Sequence, residues 1–273
     1  MIDICVNFLN RQLQADSEMV LSRAQEAGIE GLVLCSTDLA MVAANIAQCA
    51  NSIATKKLQY RTTAGVHPHD ARTWNQHSQA QLRKLTNNLM VCAVGECGLD
   101  FNRNFSTQEE QIRAFQAQIE VAIEVSKPLF VHDRESQGQV LKMLTKTNLP
   151  PTVIHCFTGS ENDLRGYLEA GFYIGITGWI CDEKRGEDLR TMVKQIPLDK
   201  LLVETDAPFL RPQNAPSDFV SNHGIAAKWK KRNEPALLAW VVEEIAKHRQ
   251  ESVEHIAQAT SNNAKLLFGF TNR

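Results

Sequence analysis

Four short apolar runs in this chain each end in a side chain able to bind a metal ion. They read AVGEC around Glu96, LFVH to His132, TVIH to His155 and LLVETD to Asp206. Such runs describe strands whose C-terminal tips aim their last side chains at a common centre. That is the geography of a parallel α/β barrel, in which the chemistry sits on the strand ends.

The remainder of the chain repeats the same unit. Apolar runs lie near 2–6, 31–36, 61–66, 91–95, 128–132, 152–156, 172–176 and 201–206, with amphipathic segments between them. Eight strands alternating with helices predict a closed (β/α)8 or TIM barrel, one domain spanning 1–273. An open doubly wound sheet shares the alternation, but no GxGxxG follows the first run. The segment Asp16 to Ala27 places Met19, Val20, Ala24 and Ala27 on one helical face, with Asp16 or Ser17 as N-cap and Gly28 as stop. Thr107 and Glu110 form a capping-box pattern that opens a helix carrying Phe115, Ile119, Ala122 and Ile123. Pro128 then starts the next strand, where a missing N–H costs least. The stretch 207–233 holds Pro208, Pro212 and Pro216 and ends in KWKKR; it reads as a long loop on the active-site rim, followed by helices near 234–248 and 252–268.

Composition narrows the function. The 273 residues are 43% hydrophobic and 22% charged, and a barrel typically runs to ~250 residues. A net charge of −2 argues against a protein that covers many duplex phosphates with a basic face. It leaves room for an enzyme that draws one strand end into a metal-lined cleft. The cysteines at 5, 35, 49, 92, 97, 156 and 181 are odd in number and form no CxxC pair, so reduced thiols in a cytoplasmic protein are expected. No signal peptide is expected from MIDICVNFLNRQ, and no apolar run approaches ~18 residues, so no membrane partner is expected either. The expected state is a monomer.

Two imidazoles and a carboxylate suit a divalent cation, and a second carboxylate could share a second ion or accept a proton from water. Each residue alone has a plainer explanation. A strand-end histidine can be a hydrogen-bonded structural residue, and Asp206 before Ala207-Pro208 can shape a turn. Burying Glu96 without a partner, however, is costly. Four such residues on one barrel face favour a metal site. Gly95, Gly98, Gly159 and Gly178 beside them would let backbone approach a ligand, although each could serve a turn.

Longer strings extend the pattern. GVHPHD (65–70), GECGLDFNRNFSTQEEQ (95–111), VHDR (131–134), HCFTG (155–159), YIGITGWICDEKRG (173–186), ETDAPFL (204–210) and RNEP (232–235) are collinear and specific. Together, from residue 2 to about 268, they resemble the TatD family of metal-dependent deoxyribonucleases. The resemblance implies a TIM barrel, hydrolysis of DNA phosphodiesters, and 3′→5′ exonuclease action on single-stranded DNA and also RNA, with Mg²⁺ and in DNA repair. Mn²⁺ and Zn²⁺ are the alternative ions. Carried over by motif, Glu96, His132 and His155 match the family's metal ligands, and Asp206 the carboxylate at the end of the last strand. Catalytic roles fall to Glu96 and Asp206. Many relatives open with D-x-H-x-H, whose histidines help hold one of two metals. Here Cys5 and Asn7 occupy those places. One firmly held ion is therefore expected, with a second that is weak or needs substrate phosphate, Asn7 being at most a weak ligand. Asp133 stands where relatives often have Cys and is given no role.

His67 and Arg134 are candidate substrate-binding residues, placed to take phosphate charge. Trp179, Phe157 and Phe209 follow strand ends and could stack bases, although core packing is the commoner use of an aromatic. Lys228, Lys230, Lys231 and Arg232 around Trp229 could guide a nucleic-acid backbone or simply form a solvated face. The main alternative is a metal-dependent hydrolase of C–N or ester bonds, a cyclic amidase or aminoacyl-tRNA deacylase on the same barrel. The absence of HxH and of a lysine on the fourth strand counts against it. A non-catalytic scaffold is a further alternative, opposed by the retained Glu96, His132, His155 and Asp206.

Overall fold

The computed structural model describes residues 1–55, 58–146 and 148–271. Its eight strands are β1 (Ile2–Val6), β2 (Gly31–Leu34), β3 (Gln59–Ala64), β4 (Val91–Asp100), β5 (Leu129–Arg134), β6 (Thr152–His155), β7 (Tyr173–Ile176) and β8 (Leu201–Val203). They pair in sequence order, all parallel. Just past β8, the Asp206 N–H donates to Cys5 O and the Asn7 N–H to Ala207 O, at 3.0 and 2.8 Å, and these bonds close the ring onto β1. The barrel expected from the sequence is therefore the fold. Strands covered on both faces read as near-continuous apolar runs, which is why the runs were legible.

One strand departs from its expected length. β4 continues four residues beyond Glu96, because Cys97 to Asp100 stay in register with Val131 to Arg134. GECGLD looks like a turn in sequence, but its glycines allow close packing of strands instead. A Cβ on Gly98 would lie 1.9 Å from His132 O, and one on Gly95 would lie 2.2 Å from Phe130 O. A Cβ on Gly178 would likewise meet Leu210 O at 2.1 Å. These three positions serve backbone against backbone rather than backbone against a ligand.

The helix Gln108–Val125 opens on the expected Thr107–Glu110 capping box. Phe115, Ile119 and Ala122 are buried, whereas Ile123 is exposed. Two buried glutamines on this helix hold the loops that carry the site. Gln118 accepts from the Val66 N–H at 2.7 Å and donates to Val66 O at 3.0 Å. Gln111 accepts from the Asp100 N–H at 2.8 Å and donates to Asp100 O and Ser106 O. On the helix Ser17–Glu26, Val20 and Ala24 are buried as expected, but Met19 is 55% exposed, so the inward face is turned away from it. Arg23 takes that face. Asp16, at the N-cap position, makes no capping bond because its carboxylate is engaged by arginines.

Those arginines correct the reading of the basic cluster. Arg232 is buried, with its guanidinium on Gln12 O, Asp16 and Glu234, while Arg23 reaches Glu234 at 2.7 Å and Asp16 at 2.9 Å. Arg232 is thus a fastener that returns the 207–233 segment to the helix Ser17–Glu26. Lys228, Lys230 and Lys231 remain exposed. Burial pushes Asp16 up, but Arg232 and Arg23 outweigh it and hold its pKa below the usual carboxylate range. Its contribution to stability is therefore present above the unfolded value of ~3.9 and is lost as pH falls through the lower folded value. Replacing Arg232 by Met should lower unfolding free energy in urea by about 3 kcal/mol, by leaving buried carboxylate charge short of a partner. Alanine at Lys228, Lys230 or Lys231 should cost less than about 0.5 kcal/mol. Equal effects would show that Arg232 is merely a surface cation.

Candidate metal centre

Strand register assembles the site. His132 and His155 are direct partners across β5 and β6, so their imidazoles lie side by side. Gly98 faces His132 across β4 and β5, and the close strand approach there brings Glu96 beneath both rings. One oxygen, Glu96 Oε1, lies 2.8 Å from His155 Nε2 and 3.1 Å from each of His132 Nδ1 and His67 Nε2. His132 Nδ1 and His155 Nε2 are 3.4 Å apart. Donor atoms sharing a cation at roughly 2.1 Å lie roughly 3 Å from one another, so these spacings fit a divalent ion. The mixed imidazole and carboxylate set fits it chemically as well.

The electrostatics agree. Burial alone would raise the pKa of Glu96, but His155, His67 and His132 hold it well below the usual carboxylate range. Burial would likewise lower His155, yet Glu96 and Glu204 keep its pKa well above the ordinary histidine value. For His67 burial dominates, and its pKa falls despite Glu96. His67 therefore sits among the inner donors. It is buried against Glu96 while still lining the cleft, and its Nδ1 accepts from the His69 N–H at 3.1 Å.

Two carboxylates in the site were not singled out from the sequence. Glu204, fully buried, has Oε2 3.4 Å from His155 Nδ1 and Oε1 on the Cys156 N–H. Asp100 has Oδ2 2.7 Å from His69 Nε2 and 3.6 Å from His132 Nε2. Each stands behind the far nitrogen of a histidine that faces Glu96. A carboxylate hydrogen-bonded there, as Glu204 is to His155, fixes ring orientation and raises donor strength, whereas the buried His132 Nε2 has no hydrogen-bond partner among the described residues. The signals existed: Asp100 is four residues from Glu96 on one strand face, and Glu204 follows the apolar LLV directly.

Asp206 is held differently. Its Oδ1 accepts from Asn7 Nδ2 at 2.8 Å, with Cys5 Sγ at 3.6 Å. The amide expected as a weak ligand is thus engaged with Asp206. Burial pushes the Asp206 pKa up to about 7, with His155 opposing and Glu96 and Glu204 adding to the rise. Its φ of 53° is left-handed, a region aspartate tolerates better than most residues.

Glu96, His67, His132, His155, Asp100 and Asp206 open into one cleft of about 680 Å³ at the C-terminal mouth, which Arg134, Trp179 and Phe209 also line, while Glu204 lies behind it, fully buried. Phe157 does not line the cleft. It is buried edge-on to Tyr167, the core packing that is the commoner use of such a ring. Asp133 accepts from the Tyr167 hydroxyl.

A parallel (β/α)8 barrel with carboxylates and imidazoles converging at its C-terminal mouth defines the metal-dependent hydrolase class. Residues 2–269 match the family of TatD-related DNases, and the chain belongs to that family. It is 43% identical over 98% of its length to the 3′-5′ ssDNA/RNA exonuclease TatD of Edwardsiella piscicida, covering 99% of that protein. It is 42% identical to the protein of the same name from Salmonella typhimurium, covering 98% of each. Among solved structures, a TatD homologue from Escherichia coli K12 superposes with a TM-score of 0.83 at 27% identity, over 99% of this chain and 98% of that one.

If Glu204 orients His155, Glu204→Gln should weaken Mn²⁺ binding by roughly 10- to 100-fold in a calorimetric titration, with the far-UV circular dichroism retained. Unchanged affinity would show that His155 needs no such support.

Proposed function

We propose that this protein is a metal-dependent exonuclease that hydrolyses phosphodiester bonds from the 3′ end of single-stranded DNA, and also of RNA, in DNA repair or degradation in the cytoplasm. The observation that carries this reading is one carboxylate oxygen facing three imidazoles at the barrel mouth. Relatives at 42–43% identity that bear the 3′-5′ ssDNA/RNA exonuclease name add to it. Glu96, His132 and His155 are the residues that would hold the ion, which we take to be Mg²⁺. A bound divalent cation lowers the pKa of a coordinated water and draws charge from a phosphoryl oxygen.

The chain's own groups do the rest. Asp206, with a pKa of about 7, is poised to accept the proton of the attacking water near neutral pH. Water adds to phosphorus as its proton passes to Asp206, the bond to the leaving sugar oxygen breaks, that oxygen takes up a proton from solvent, and the terminal nucleotide departs. Among the described residues, the Arg134 guanidinium forms no hydrogen bond or ion pair and is free to take a phosphate oxygen. The alternative of C–N or ester hydrolysis draws no support from the exonuclease names of these relatives.

The double variant Glu96→Ala/His155→Ala should lose metal-dependent release of nucleotides from a labelled single strand; retained turnover in the purified protein would sink the assignment. Because Asn7 and Cys5 engage Asp206, a second ion has few donors left. Calorimetry with Mg²⁺ or Mn²⁺ and no substrate should show one tight equivalent, and two tight equivalents would contradict this account.

A further inference from the structure

The surface exposes very few aromatic rings. Among the described residues, Phe105 at 56% and Phe209 at 47% are the only exposed phenylalanine, tyrosine or tryptophan side chains, and both line the cleft. Their positions follow from topology. Phe105 lies in the loop after β4 and Phe209 in the loop after β8, and in a ring of eight strands those two strands are diametrically opposed. The Glu96 cluster, carried by β4, β5 and β6, lines the same cleft as both loops. Phe105 is anchored to it through rings: its edge-on contact with His69 is at 4.8 Å, and His69 meets His67 at 4.3 Å.

Two cations accompany the rings. Arg103 lies on the same loop as Phe105 and lines the cleft, as does Arg134 at the end of β5. Among the described residues neither guanidinium has a hydrogen-bond or ion-pair partner. Trp179, the third aromatic of the cleft, is committed elsewhere: Arg185 covers one face at 4.3 Å, and the indole N–H donates to Arg185 O at 3.0 Å. Exposed aromatic faces alternating with unpaired cations match a strand of unpaired nucleobases joined by phosphates. A paired duplex hides its base faces and would leave both rings unused.

Resting on the nuclease reading above, we propose that Phe105 and Phe209 stack unpaired nucleobases on opposite sides of the Glu96 cluster, with Arg103 and Arg134 taking the adjoining phosphates. The cleft thereby grips a single strand across the barrel mouth. Bases on both sides hold the phosphodiester between them over the catalytic groups, and sequence tolerance follows because every base offers a π-face.

The test uses fluorescence anisotropy with a labelled phosphorothioate oligothymidylate and an abasic strand of equal length. Phe105→Ala and Phe209→Ala should each weaken binding of the thymidylate strand by about 5- to 100-fold, and Phe105→Tyr should retain it. The abasic strand should bind wild type and both alanine variants alike. Alanine variants that bind thymidylate as tightly as wild type would overturn the proposal, and so would an equal loss of abasic binding. A wild-type protein that binds neither strand would sink the nuclease reading itself.

Discussion

The site depends on a buried carboxylate that stays charged. Glu96 is 4% exposed, and an isolated carboxylate so placed would take up a proton rather than remain ionised. Three imidazole nitrogens around one oxygen prevent this. The contacts exist only because β5 and β6 hold His132 opposite His155 and because Gly98 lets β4 close on β5. Gln111 and Gln118, reaching inward from the same helix, then fix the backbone at Asp100 and just before His67. The barrel is therefore more than a mount for the loops, since its register sets the distances among the donors.

Two carboxylates in one cleft are driven in opposite directions. Imidazoles hold the pKa of Glu96 far down, whereas burial with neighbouring negative charge lifts Asp206 to about 7. Such separation supports the proposed division of roles, with Glu96 as a ligand and Asp206 as a proton acceptor. Asn7 and Cys5 contribute by donating to Asp206, which holds its oxygen in place without introducing positive charge. A histidine pair at those places would add cationic or metal-bound partners and drive Asp206 toward permanent ionisation. The departure from D-x-H-x-H thus bears on proton transfer as much as on metal count.

The strands were legible because both of their faces are buried, so each became an apolar run with a polar terminus. Glu96, His132, His155 and Asp206 could be read as one site because they close such runs and because longer strings matched a family. What escaped were features without a local pattern. β4 runs on through Gly98 because pairing with β5 overrides the turn tendency of glycine, and this hid Asp100. Arg232 resembled its lysine neighbours in sequence, yet Asp16 and Glu234, distant or apparently ordinary, make it a buried fastener. Phe157 and Phe209 follow strand ends alike, but one turns into the core beside Tyr167 and the other into the cleft. Phe105 drew no attention because exposure cannot be read from a phenylalanine in a polar loop.

A protein with 29 lysines and arginines against 31 acids has no general attraction for a polyanion. Recognition must then be local. For single strands, the slope of log affinity against log salt is about −0.7 per phosphate neutralised, so two free arginines supply only a small electrostatic share. Stacking on two opposed rings contributes without net charge and demands that the bases be unpaired. A bound cation would add its charge at the one phosphate over Glu96. Weak long-range attraction combined with strong short-range geometry suits the proposed action at strand ends. It leaves intact duplex, whose bases are hidden, largely ungripped.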